Sequence, residues 1–307
     1  MDFGKLADLS GVDFTFPEDP AFSRAFLDAL PERRQPAHIF LGCTGWAMPQ
    51  WVGKWYPAGA KSKDFLYHYA KQFNTIELNT THYRIPSLDM VRQWCDSVPP
   101  DFRFCPKVPQ TISHDRQLAL GTPAVRAFAE SVAEMGDRLG CCFLQLPPYF
   151  GPDRLRLLEA FLADWPAQLP MAVEVRHEDW FAQPRHIEAL ADLLAAYETA
   201  AVITDVAGRR DVLHLFVTAP RTLIRFVGND LHPTDYRRAD DWVARILQWT
   251  AGARLPEVYF FSHQPDNILS PELALYLWQQ LTAGANFETR PPKPVPADGE
   301  SGQMSLF

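Results

Sequence analysis

The sequence predicts an α/β fold of the TIM type, a (β/α) barrel, on three observations. Short, continuous apolar runs alternate with amphipathic helical stretches, the pattern of a parallel sheet covered by helices. Eight such units occupy about 250 residues, which matches a barrel better than an open sheet. Most of the apolar runs also end in a charged or strongly polar residue, as in Thr75-Ile76-Glu77-Leu78-Asn79 and Val173-Glu174-Val175-Arg176-His177. A charge at the end of a buried strand is costly unless it is paired or faces water. Its repetition points to one shared polar mouth, where barrels carry their chemistry.

The elements follow in order. Residues 1–37 are acidic, rich in proline and phenylalanine and lack a clean period. They read as an N-terminal extension packed outside the main domain, with a short helix near 23–30. Strands are expected at 38–43, 74–79, 102–108, 141–146, 171–176, 200–205, 222–227 and 257–262, within a barrel domain spanning 38–284. Helical patterns lie at 61–72, 87–96, 122–138, 152–163, 184–198, 234–250 and 271–283. Pro123, Pro152 and Pro271 fall where helices begin, which suits their fixed φ. The sixth unit is the weakest, because 206–221 has poor helical character; an irregular or antiparallel strand is the expectation there. Residues 285–307 contain Arg290-Pro291-Pro292-Lys293-Pro294 followed by small polar residues, so they read as a flexible tail.

Composition narrows the function. The 307 residues carry a net charge of −8, so no global basic footprint marks the chain for nucleic acid or an anionic membrane. No apolar run reaches the length of a membrane span. Five cysteines without a CxxC pair argue against a disulfide framework and favour a reducing, cytoplasmic setting. No strand is followed by the glycine fingerprint of a dinucleotide or P-loop site, and no cofactor is predicted. A divalent metal would have to draw on Glu174, His177, Asp205, His214 and His263, yet neither HExxH nor HxH spacing occurs.

Alternation along the strands sorts the mouth residues. If Glu77 with Asn79, Lys107, Gln145, Glu174 with Arg176, Asp205 and Arg225 all point inward, three acids and three bases converge. His114 and His177 would lie just above. In that arrangement Glu174 or Glu77 serves as general base, with His114 or His177 as proton partner. Lys107, Arg176 and Arg225 stabilise negative charge on an anionic substrate. Trp46, directly after the first strand, and Tyr83 would line the pocket wall, with Asn79 and Gln145 completing the substrate contacts. The plainer reading is a set of ion pairs that neutralise one another inside the barrel.

These residues resemble the YecE-like family, barrel proteins grouped as a domain of unknown function (seventy-two). The resemblance rests on Gly42-Cys43-Thr44-Gly45-Trp46, Trp51 and Tyr56-Pro57, then Ile76-Glu77-Leu78-Asn79-Thr80-Thr81-His82-Tyr83-Arg84. It continues through Phe102-Arg103-Phe104 with Lys107, Pro109 and His114, and through Leu144-Gln145-Leu146-Pro147-Pro148. Glu174-Val175-Arg176-His177 with Trp180, Asp205 and Arg225-Phe226-Val227-Gly228 complete it. It implies a TIM-like barrel and no established reaction.

The last five residues, Gln303-Met304-Ser305-Leu306-Phe307, resemble the peptide by which bacterial replication and repair proteins bind the sliding clamp. Leu306 and Phe307 would fill an apolar pocket and Gln303 would bond at its rim. A clamp partner makes a nucleic-acid-derived substrate the natural expectation, with Arg209-Arg210 adding to a local basic groove. The first hypothesis is therefore a hydrolase-like barrel enzyme in DNA metabolism acting on an anionic substrate. The alternative is a non-catalytic, clamp-associated module that binds a ligand or DNA.

Overall fold

The computed structural model describes Gly4 and residues 6–295. Among these, eight strands all run parallel: β1 His38–Cys43, β2 Thr75–Leu78, β3 Arg103–Pro106, β4 Cys142–Gln145, β5 Met171–Glu174, β6 Ala200–Asp205, β7 Arg221–Val227 and β8 Glu257–His263. The spatial order β3-β2-β1-β8-β7-β6-β5-β4 leaves only β3 and β4 without a continuous ladder. Two isolated bridges, Phe104 to Leu139 and Lys107 to Phe143, draw that seam nearly shut.

Proline chemistry explains the seam. Residues 103 and 107 donate their N–H groups to β2, through Asn74 O and Leu78 O. The alternate residues must therefore donate toward β4. Val108 does, to Phe143 O at 2.9 Å, but Pro106 has no N–H to give. Gly140 N donates to Phe104 O instead, at 2.8 Å.

The barrel interior is filled by the inward residues of successive strands. Phe40 stacks on Tyr259 with centroids 4.5 Å apart, and Phe143, Leu223 and Phe261 pack against Ala172, Ala200 and Val202. Large side chains fill the space that the small ones leave, as close packing requires. Outside, helices cover the strands at Phe65–Gln72, Leu88–Asp96, Pro123–Ala133, Leu155–Asp164, Pro184–Ala196, Pro233–Thr250 and Ser270–Gly284. None of them is long and apolar enough to cross a membrane.

The sixth unit departs from expectation in an instructive way. Its strand is regular and parallel to both neighbours, so an antiparallel strand there is ruled out. The connection to β7 does lack an α-helix and holds only the short turn Arg210–Val212. The N-terminal helix Ala21–Ala29 takes up the uncovered space. Leu27 joins Ile203, Leu215, Val217 and Ile224 in one apolar cluster, Phe22 meets Phe216 edge-on, and Val217 N donates to Ser23 Oγ at 2.9 Å. The extension is thus a working part of the barrel wall.

The proline-rich segment differs too. Much of it is docked where a free linker was expected. Glu288 pairs with the start of β1, with Ile39 N donating to Glu288 O at 2.9 Å and Glu288 N donating to Ala37 O at 3.1 Å. β2 reaches β1 only from Gly42 onward, so the lower edge of β1 is open to another partner. Arg290 then binds Phe73 O and Asp101, and Val295 N donates to Lys54 O. The peptide 303–307 lies outside the described residues.

Candidate functional site at the barrel mouth

Inward alternation at the C-terminal ends of the strands brings Glu77, Lys107, Gln145, Glu174, Arg176, Arg225 and His263 into one buried cluster. Arg225 is its centre. Its Nε and Nη2 bind Glu77 at 2.8 and 2.9 Å as a fork, while Nη1 reaches Glu174 Oε2 at 2.9 Å. This is the planar, bidentate geometry for which arginine is suited and lysine is not. Glu77 also accepts from Asn79 Nδ2 and His263 Nε2, each at 2.9 Å. Glu174 accepts from Arg176 Nε at 2.6 Å and from Gln145 Nε2 at 2.7 Å. The amide oxygen of Gln145 in turn accepts from Lys107 Nζ at 2.8 Å.

Charge states follow from these contacts. Burial by itself would raise the Glu77 carboxyl, but Arg225 and His263 outweigh it and hold the group well below the carboxylate range. Burial opposes ionisation of Glu174 as well, and Arg176 and Arg225 still bring it down to about 2. Both glutamates are anions at neutral pH. Burial, reinforced by the charge of Arg225, lowers Lys107 to about 8. Lys107, Arg176 and Arg225 thus face the two carboxylates, with the His263 ring beside Glu77.

Histidines stand above this floor. Burial is the main cause that lowers His82 to about 4, and its Nδ1 bonds Val108 O at 3.0 Å, leaving Nε2 as an acceptor. The His114 ring lies 5.5 Å from that of His82 and is likewise lowered, by burial and then by Lys107 and Arg176.

Other expected residues sit elsewhere. Asp205 shares a face with Ile203, as alternation requires, but that face is the outer one. The inward neighbour is Thr204, level with Arg225 in the β6–β7 register. Asp205 accepts from Arg238 Nη2 and Trp242 Nε1, both at 2.8 Å, and pairs with Arg210. It anchors the helix Pro233–Thr250 to β6. His177 caps a short turn by accepting from Asp179 N at 3.1 Å. Trp46 packs edge-on against Trp94 at 6.0 Å, and Tyr83 is exposed at the rim. His214 is buried and stacks on Phe216 at 4.0 Å, with burial lowering it to about 3, so it is a neutral core histidine. Arg209 pairs with Asp211. The five residues weighed as metal ligands are thereby dispersed, and among the described residues no other group of three or more His, Cys, Asp and Glu gathers.

His263 is the contact of Glu77 that the sequence reading left out of the acid–base set. Alternation from Tyr259 and Phe261 points to it, but it lies one residue beyond the strand expected at 257–262.

The profile of a family described as "Protein of unknown function DUF72" matches residues 40–298. The chain belongs to this family. Among relatives, it is 33% identical over 261 residues to the UPF0759 protein YecE of Escherichia coli (strain K12), covering 79% of this chain and 92% of that one. It is 24% identical over 168 residues to the UPF0759 protein YunF of Bacillus subtilis (strain 168), covering 51% and 57%. Two solved DUF72 family structures share the fold. One, from Enterococcus faecalis, has a TM-score of 0.61 at 22% identity, covering 84% of this chain and all (100%) of that one. The other, from Thermotoga maritima, has a TM-score of 0.62 at 22% identity, covering 80% and 98%. The DUF72 match begins inside β1, so the N-terminal extension and its helix lie outside the family segment.

Proposed function

We propose that this DUF72 protein is an enzyme whose barrel mouth binds an anionic substrate and moves a proton through Lys107. The observation that supports this reading is the setting of Lys107. It is a buried amine that contacts the amide oxygen of Gln145 and has no carboxylate within ion-pair distance among the described residues. A buried ammonium without a carboxylate is costly, and an incoming anion would offset that cost. Glu77 and Glu174 were the expected bases, but carboxylates held so low are weak proton acceptors at neutral pH. Their part is to fix Arg225, Arg176 and Gln145. His114 and His82, neutral and adjacent, would relay the proton. Hydrolysis is the simplest reaction this set would support.

Lys107 is expected to titrate near pH 8, against about 10.4 for an exposed lysine. Competitive acetylation across pH, read peptide by peptide by mass spectrometry, measures this directly. A Lys107 midpoint matching that of the surface lysines would remove it from the proton-transfer role. The anion reading is tested by thermal shift with inorganic phosphate and small phosphate esters. Stabilisation of the wild type, absent in Lys107→Met, supports the reading; equal responses of the two proteins overturn it.

We also propose that Gln303–Phe307 recruits the barrel to the bacterial sliding clamp, on its sequence pattern and its place beyond the family segment. Truncation after Gly302 is expected to abolish binding to purified clamp. Clamp binding that survives truncation, or none by the full chain, rejects the motif.

A further inference from the structure

We propose that the ligand of this mouth is a nucleotide unit, with its phosphate at the Lys107 side and its base on a shelf of aromatic rings beside it. This deepens the anionic-substrate reading and rests on it. The shelf is built by the loops that follow β2, β3 and β4, the strands on either side of Lys107. Tyr83 and Tyr149 are 77% and 54% exposed, unusual for large aromatic side chains at the rim of a buried polar site.

The rings are connected. Tyr83 lies 5.5 Å from His82, and His82 lies 5.5 Å from His114. Tyr149 OH donates to His114 O at 2.7 Å, which positions the tyrosine while leaving its ring open. Exposed aromatic rings offer a flat platform, and base stacking is their common use beside a cationic groove.

Two more features favour a phosphate-bearing ligand. Arg84 and Arg116 leave the same loops, both are exposed, and neither has an ion pair among the described residues. The nearby Asp115 carboxylate is engaged by Gln117 N and Ala119 N. On the opposite wall, Thr204 Oγ1 is buried on the inward side level with Arg225, with no hydrogen-bond partner among the described residues.

Isothermal titration of the full chain with 2′-deoxyribose 5-phosphate, dAMP and an oligodeoxyadenylate tests the assignment. Wild type is expected to bind dAMP about tenfold or more tightly than the ring-free sugar phosphate. Tyr83→Ala or Tyr149→Ala should reduce that ratio by a similar factor and leave sugar-phosphate binding unchanged. Both tyrosines are exposed, and circular dichroism confirms that the variants fold. Equal wild-type affinity for dAMP and the sugar phosphate overturns the base shelf while leaving the anion site standing. Failure of all three to bind overturns both. Stronger, salt-sensitive binding of the oligomer assigns the unit to a strand, whereas binding no tighter than dAMP assigns a free nucleotide.

Discussion

Arg225→Met is expected to cost about 3–5 kcal/mol at neutral pH, because it leaves two buried carboxylates without their shared cation. Arg225 alone supplies three of the hydrogen bonds to Glu77 and Glu174, and both acids are almost wholly removed from solvent. The pH response should change sign as well. In the wild type both folded-state values lie below the ordinary 4.5, so their stabilisation is complete above that pH and is lost as pH falls toward about 2. Without Arg225, Glu77 loses the largest influence that opposes its burial and its carboxyl rises, while Glu174 keeps Arg176. The variant then gains stability on mild acidification as Glu77 takes up a proton. Urea unfolding at pH 7 and at pH 5 measures both effects. A variant as stable as wild type at pH 7, or a gap that does not narrow at pH 5, would show that the cluster is not coupled as described.

Asp205→Ala is expected to cost a similar amount, about 3–5 kcal/mol, for the opposite reason: it strands a cation. Arg238 is fully buried, and Asp205 is its nearest carboxylate, at 2.8 Å against 3.5 Å for Asp235. The Trp242 indole N–H loses its acceptor in the same change. Asp205→Asn keeps the shape and one acceptor, so it should cost less. Because this network faces the helix Pro233–Thr250, the folded fraction of either variant should respond to anions as wild type does. Loss of that response in a folded Asp205→Asn protein would return Asp205 to the site.

These two arginine clusters mark how far the sequence could be read. The strand boundaries at 38–43 and 200–205 coincide with those observed, because continuous apolar runs bounded by turns leave little choice. That Glu77, Lys107, Gln145, Glu174 and Arg225 gather in one cluster was legible because each follows an apolar run at an inward position. Asp205 was placed on the wrong side, since alternation divides a strand into two faces without saying which one looks inward. That decision belongs to the register with β7, where Thr204 stands opposite Arg225. Docking of the N-terminal helix and of Glu288 could not be read locally. Both depend on gaps in the barrel, a missing helix after β6 and a short β2, that exist only once the sheet is assembled.

The N-terminal helix has a consequence for the order in which the molecule can be completed. Its partners lie far along the chain: Ser23 bonds Val217, 194 residues away, and Asp19 bonds Trp249, 230 residues away. At about 5–20 residues per second of synthesis, the helix waits about 10–40 s for its seat to emerge. Through that interval Phe22, Phe26 and Leu27 have no native cover. On the other side, Ile203 and Ile224 stay open until the helix arrives. This helix is made before every strand of the barrel yet is among the last elements to be housed, and its apolar face must stay in solution until residues 217–249 are made.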